Sequence, residues 1–178
     1  MCVRYVPTKL ECTLRRYKEM SVTFNPIGEV KFEDGNCFIV LKKEAIPATL
    51  GLDEYSHIQI VWWFHLYDNE DTRKYYVLDK PYTKGPEKIG VFATRSPVRP
   101  NPIGITSCVL VKLDRAQNRL QVAGLDAENG TPILDIKPYE PSIDRVRDVK
   151  MPLWCAHWPA YVEDNATFDW RSEFNFPE

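Results

Sequence analysis

The chain has 178 residues, 44% hydrophobic and 27% charged, with a formal net charge of −2, which is enough for one domain with a real core and too little for two of ordinary size. The charge balance excludes a global basic field, so a nucleic-acid partner would have to meet its phosphates at a local patch. Fourteen prolines and nine tyrosines favour strands and loops over long helices.

The five cysteines, Cys2, Cys12, Cys37, Cys108 and Cys155, are odd in number and include no CxxC pair. That argues against a disulfide framework and a zinc knuckle, and for a reducing compartment. Cys155 and His157 lack ligand spacing to His57 or His65, so no metal is expected. The N-terminus has no apolar leader, and the longest apolar run, around Ile58 to Leu66, is far too short to span a membrane. These features point to a soluble cytoplasmic protein.

In chain order, residues 1–22 form an N-terminal extension in which Leu10 to Met20 reads as a short amphipathic helix. FNPIGEVKF, the turn signal EDGN and CFIVLK then read as a β-hairpin with Asp34-Gly35 at its tip. Ile46 to Leu52 is a helical turn or loop, and HIQIVWWFHL, His57 to Leu66, is the central strand. Asp68 to Lys88, charged and broken by Pro81, Gly85 and Pro86, is a long excursion expected to order only on binding. Lys88 to Ala93 is a short strand into a proline-rich loop, and Ile105 to Leu113 a strand out of it. Arg119 to Leu125 follows a turn at 114–118. The corner DAENG then leads to the last strand, TPILDIKPY.

Turns this short leave no room for crossover helices. The fold class is therefore mainly β, a small antiparallel barrel spanning residues 23–141. Residues 142–178 carry Trp154, Trp158, Tyr161, Phe168, Trp170, Phe174 and Phe176, too apolar for a solvated linker. They read as a cap over an open barrel side or over a dimer partner, with a stacking platform for bases as the alternative.

The most informative stretch is GVFATRSPVRPNPIG, Gly90 to Gly104. Pro97, Pro100 and Pro102 fix φ and push their predecessors out of the helical region, leaving a stiff extended loop. It presents Thr94, Arg95, Ser96, Arg99 and Asn101 at reduced ordering cost. Arg95 and Arg99 stand up to about 13 Å apart in an extended chain, so they serve different groups. An arginine fork suits a carboxylate or phosphate, whereas the acidic corner suits hydroxyls, an amine or a cation. Asp135 and Lys137 alternate on one strand face and are placed to pair, worth at most about 1 kcal/mol. Neither a GxGxxG nor a GxxxxGK[ST] nucleotide loop occurs.

GVFATRSPVRPNPIG followed by GLDAENGTPILDIKPY, with FNPIGEV and LGLDEYSHIQIVWWFH upstream, resembles the TrmO family, also called TsaA-like or YaeB-like, from about Phe24 to Tyr139. The resemblance implies a homodimeric TsaA-like β-barrel methyltransferase that uses S-adenosylmethionine without a Rossmann domain. It implies as substrate N6 of the modified adenosine (t6A) at position 37 of threonine tRNA. It also implies a cofactor lining of His65, Leu66, Arg95, Ile105 and the corner Asp126, Ala127, Glu128 and Asn129. Arg95 would take the methionine carboxylate or orient the loop, and Asp126 and Glu128 the amino group or ribose hydroxyls. Arg99, Asn101, Lys137 and Tyr139 would face the tRNA. Asp135 or Tyr139 are possible proton acceptors, with the catalytic base left unassigned.

The chain departs from the family pattern in its first loop. Val30 runs through Lys31 to Asn36 without the longer Pro-Arg-Gln element that touches the cofactor, so part of the pocket is missing or rebuilt. The extra C-terminal domain that helps several bacterial members bind tRNA is also replaced by the aromatic tail. These departures favour methylation of a small molecule or protein as an alternative; a second alternative is a non-enzymatic module whose barrel senses S-adenosylmethionine or whose tryptophan-rich tail contacts a partner.

Overall fold

Alternation of side chains lays out the wall of the molecule. In the computed structural model, which describes residues 22–175, strand β3 (His57–Trp63) points Ile58, Ile60 and Trp62 inward and keeps His57, Gln59, Val61 and Trp63 less buried on the outer face. The same alternation runs through β1 (Gly28–Glu33), β2 (Asn36–Leu41), β7 (Arg119–Ala123) and the first half of β6 (Ile103–Asp114). The predicted helix over Leu10 to Met20 lies outside the described residues.

With β8 (Pro132–Pro138), these strands close a six-stranded antiparallel barrel in the order β1-β2-β7-β6-β3-β8. Closure is made by a short pairing of Gly28 with Ile133 and Glu29 with Pro132, extended by Val30 N–H to the Thr131 carbonyl at 2.9 Å. The interior is Val30, Ile39, Leu41, Ile58, Ile60, Trp62, Cys108, Leu120, Val122, Leu125 and Ile133. Each large side chain there contributes about 1.5–3 kcal/mol of transfer free energy. Burial pushes the Cys108 thiol up to about 12, so this cysteine is an inert core group.

The hairpin turn is as expected. Asp34 at φ 48° and Gly35 at φ 76° give two consecutive left-handed residues, the geometry a two-residue hairpin needs. Other boundaries differ. β3 ends at Trp63 rather than Leu66, because the Phe64 N–H is donated to the Pro102 carbonyl at 2.8 Å and the chain then turns through a 3-10 segment, His65–Tyr67. The strand predicted over Lys88 to Ala93 is shorter. Only Lys88–Gly90 (β5) is extended, and it pairs outside the barrel with β4 (Val77–Asp79), while Val91–Ala93 is a 3-10 turn. The proline loop thus hangs from one barrel strand and one small two-stranded sheet.

The excursion expected to order only on binding is folded, and its partner is the tail. Tyr82 is buried against Trp154, Trp158 and Phe174 at ring distances of 4.8, 5.4 and 5.4 Å. Trp158, Trp170 and Phe168 continue the cluster. At its centre the Glu173 side chain, only 4% exposed, accepts from His157 Nε2 (2.8 Å), Trp158 Nε1 (3.0 Å) and Lys84 Nζ (3.2 Å). These donors hold its carboxyl down to about 2, the His157 hydrogen bond contributing most.

Candidate functional site

The end of β3, the start of β6 and the start of β8 lie side by side, because Trp62 pairs with Gly104 on one flank and Ile133 on the other. Everything that leaves the barrel from these strand ends therefore gathers at one place. His65 follows β3, the proline loop precedes β6, and the corner 126–130 precedes β8. A weak contact of 3.4 Å between His65 Nδ1 and Thr131 Oγ1 joins the first to the third. The second is secured to the first by the Phe64 to Pro102 bond.

Two close packings make this junction rigid. A Cβ at Gly104 would clash with the Trp62 indole ring, and that indole donates to Thr106 Oγ1 at 3.0 Å. The proline loop is braced from within, since Arg99 donates to the carbonyls of Val91 and Thr94, both at 3.3 Å. Arg99, predicted to face tRNA, thus turns back into its own loop. Arg95 is exposed and donates to the Ile105 carbonyl at 3.2 Å. The corner is tied to the first hairpin. Asn129 Oδ1 accepts from Phe32 N–H at 3.0 Å, and Gly130 N–H is donated to the Val30 carbonyl at 2.8 Å. With the first loop reduced to a two-residue turn, the hairpin itself supports the corner.

The predicted cofactor residues therefore share one end of the barrel, and their chemistry fits S-adenosylmethionine. Asp126 and Glu128 are exposed, and among the described residues their side chains have no ion-pair or hydrogen-bond partner. Arg95 offers a guanidinium, and Leu66 and Ile105 offer exposed apolar surface. A zwitterionic amino acid joined to a nucleoside needs an anionic, a cationic and an apolar partner, and all three are present. The site is an open face. A groove of about 540 Å3 elsewhere, lined by Leu41, Leu52, Tyr55, Ile136 and Pro138 among others, includes none of the predicted cofactor residues.

The predicted substrate residues do not gather there. Asn101 is exposed in the loop, but Lys137 pairs with Asp135 at 2.7 Å, which also raises its pKa. Tyr139 lies beside His57, its N–H on the His57 carbonyl at 3.1 Å. That is the opposite end of β3, about 20 Å from the His65 end at the usual strand rise. Thr131, buried at 1% exposure, escaped the sequence reading because a threonine after a glycine turn carries no signal of its own. Among the described residues there is no cluster of three metal-ligating side chains, and no helix is long and apolar enough to cross a membrane.

Residues 18–145 match the family described as the tRNA-methyltransferase O N-terminal domain. A probable S-adenosyl-L-methionine-binding protein of Methanothermobacter thermautotrophicus is 35% identical over 140 residues, 71% of this chain and 96% of its own length. The tRNA (adenine(37)-N6)-methyltransferase of Escherichia coli is 34% identical over 134 residues, 74% of this chain and 56% of that enzyme, so the chain aligns with only about half of it. Among solved structures, TrmO from Pseudomonas aeruginosa superposes with a TM-score of 0.59 at 27% identity, covering 77% of this chain and 63% of that one.

Proposed function

The chain belongs to the tRNA-methyltransferase O family, and on that premise we propose that it is an S-adenosylmethionine-dependent methyltransferase acting on N6 of adenosine 37 of tRNA. The observation that carries the proposal is the convergence of His65, the Arg95 loop and the Asp126–Asn129 corner at one end of the barrel, with donor types suited to the cofactor. The finer reading is a t6A-bearing threonine tRNA as substrate, a cytoplasmic homodimer as the working form, and residues 23–141 as the catalytic unit.

S-adenosylmethionine, when bound, supplies an electrophilic methyl group on a sulfonium. The chain's own part is positioning. Arg95 holds the carboxylate, Asp126 and Glu128 hold the amino group or ribose hydroxyls, and Leu66 and Ile105 cover apolar surface and exclude water. Asp135 is engaged by Lys137 and Tyr139 sits at the far end of β3, so neither is assigned as base and the acceptor's proton passes to solvent.

The test is calorimetry with S-adenosylmethionine on the wild type and on Arg95→Ala, followed by methyl transfer to tRNA with nucleoside analysis. Micromolar binding that is lost in the variant, with methyl groups appearing at adenosine 37, is the expected result. Absence of binding to the wild type overturns the proposal. A second reading, a non-enzymatic S-adenosylmethionine-binding module, is favoured by one observation. The chain covers 96% of the archaeal binding protein but 56% of the bacterial enzyme. Binding without turnover on any RNA would select it.

A further inference from the structure

Five tail aromatics, Trp154, Trp158, Phe168, Trp170 and Phe174, are engaged with one another and with Tyr82, whereas Tyr161 is exposed and Phe176 lies outside the described residues. Unengaged rings occur elsewhere. Phe92 is 78% exposed although its neighbours Val91 and Thr94 are 1% and 8% exposed. The turn that displays it is held from several sides. Val91 N–H is donated to the Tyr76 carbonyl at 2.9 Å, Thr94 N–H and Oγ1 both bond the Val91 carbonyl at 3.1 and 2.8 Å, and Arg99 braces the same carbonyl. A phenylalanine fixed in water by a clamped backbone has no folding reason to be there. Tyr76, 61% exposed, is joined by that backbone bond to Val91, the residue before Phe92, with Tyr75 and Tyr67 also exposed along the segment between His65 and the loop. Among the described residues none of these four rings has a ring or cation partner.

We propose that Phe92 and Tyr76 form a platform on which unpaired bases next to the target adenine stack, a reading that rests on the proposed tRNA methyltransferase activity. Three features select a base as occupant. The platform adjoins the cofactor residues, since Arg95 is three positions beyond Phe92 in the same loop. The backbone that carries Phe92 is already bonded in place, so little backbone entropy is lost when a flat ligand lies on the ring. A chain of net charge −2 has no bulk field for phosphates and must draw on sequence-tolerant stacking, the mode by which unpaired RNA is held.

The test is affinity for a synthetic anticodon stem-loop, read by fluorescence anisotropy across a salt series, for Phe92→Ala, Phe92→Leu, Phe92→Tyr, Tyr76→Ala and Tyr76→Phe. Each alanine is expected to weaken binding about tenfold, with an unchanged salt slope because no phosphate contact is removed. Affinity for S-adenosylmethionine should also be unchanged. The aromatic replacements should bind like wild type and Phe92→Leu like the alanine variant. Recovery by leucine, or a shift in oligomeric state with Phe92→Ala, would overturn the platform and assign the ring to apolar contact with a second copy. Wild-type binding that all variants share overturns the platform alone. A wild type that binds cofactor but no RNA overturns the tRNA reading as well.

Discussion

At Gly104 the space for a side chain is taken by the Trp62 indole. Gly104→Ala must therefore displace a core tryptophan or move β6 at the root of the proline loop, and overpacking of that kind costs about 1–3 kcal/mol. Urea unfolding should show that loss, with weaker S-adenosylmethionine binding in the variant that still folds. Arg99 calls for a revised expectation. Viewed as part of an extended loop it faces the substrate, and its removal would spare the cofactor. Because it bonds the Val91 and Thr94 carbonyls, Arg99→Ala is expected to loosen the segment that carries Arg95. If the equivalent of one charge-assisted bond at the weak end of the range, about 1.5 kcal/mol, is passed on to the cofactor, affinity falls about tenfold, measurable by calorimetry. Unchanged cofactor affinity with reduced turnover would return Arg99 to the substrate.

Among the elements, the aromatic cap carries its own titration. The Glu173 carboxyl is held at about 2 against an ordinary 4.5 by His157, Trp158 and Lys84. A depressed carboxylate adds stability that is fully present above its unfolded pKa and lost as pH falls through the folded one. Tryptophan fluorescence of the cap should therefore hold constant above about pH 4.5 and report progressive loosening from there to pH 2. Glu173→Gln should remove that acid transition and lower Tm at neutral pH. An acid transition kept intact in the variant would exclude Glu173 as its source. How far such elements could be read from residues depends on the range of the forces that make them. The first hairpin was legible because Asp34-Gly35 dictates its own turn, and β3 because alternating residues such as Ile58, Ile60 and Trp62 dictate its face. The strand expected over Lys88 to Ala93 ends at Gly90 because the apolar Val91–Ala93 closes a 3-10 turn instead, and nothing in KIGVFA says that it pairs with β4 outside the barrel. The tail's aromatic density was visible, but its partner Tyr82 lies more than 70 residues upstream of Trp154. In the site, composition exposed the proline loop and the acidic corner. Phe92 was hidden because an apolar residue beside Val91 reads as part of a strand.

For the whole molecule, closure has a consequence for association. The six-stranded wall has no free edge, so a second copy cannot add strands to the barrel and must cover one of its faces. The outer face of β6 presents Ile105, Val109 and Val111, and the segment after β8 presents Ile143, Val146, Val149 and Leu153, all strongly exposed. Exposed aliphatic groups of this kind are what a second copy would cover, and Ile105 belongs to the proposed cofactor lining as well. A dimer formed there would complete an open site with groups from the second chain, and the folded, active form would then obey mass action. Specific activity per chain should consequently fall on dilution, and Val109→Asp with Val111→Asp should lower it further while leaving the barrel folded, because both side chains face water in the single chain. Sedimentation across the same concentrations should show the dimer dissociating in step with the loss. Activity independent of concentration, with the double variant as active as wild type, would mean that a single chain binds both ligands on its open face.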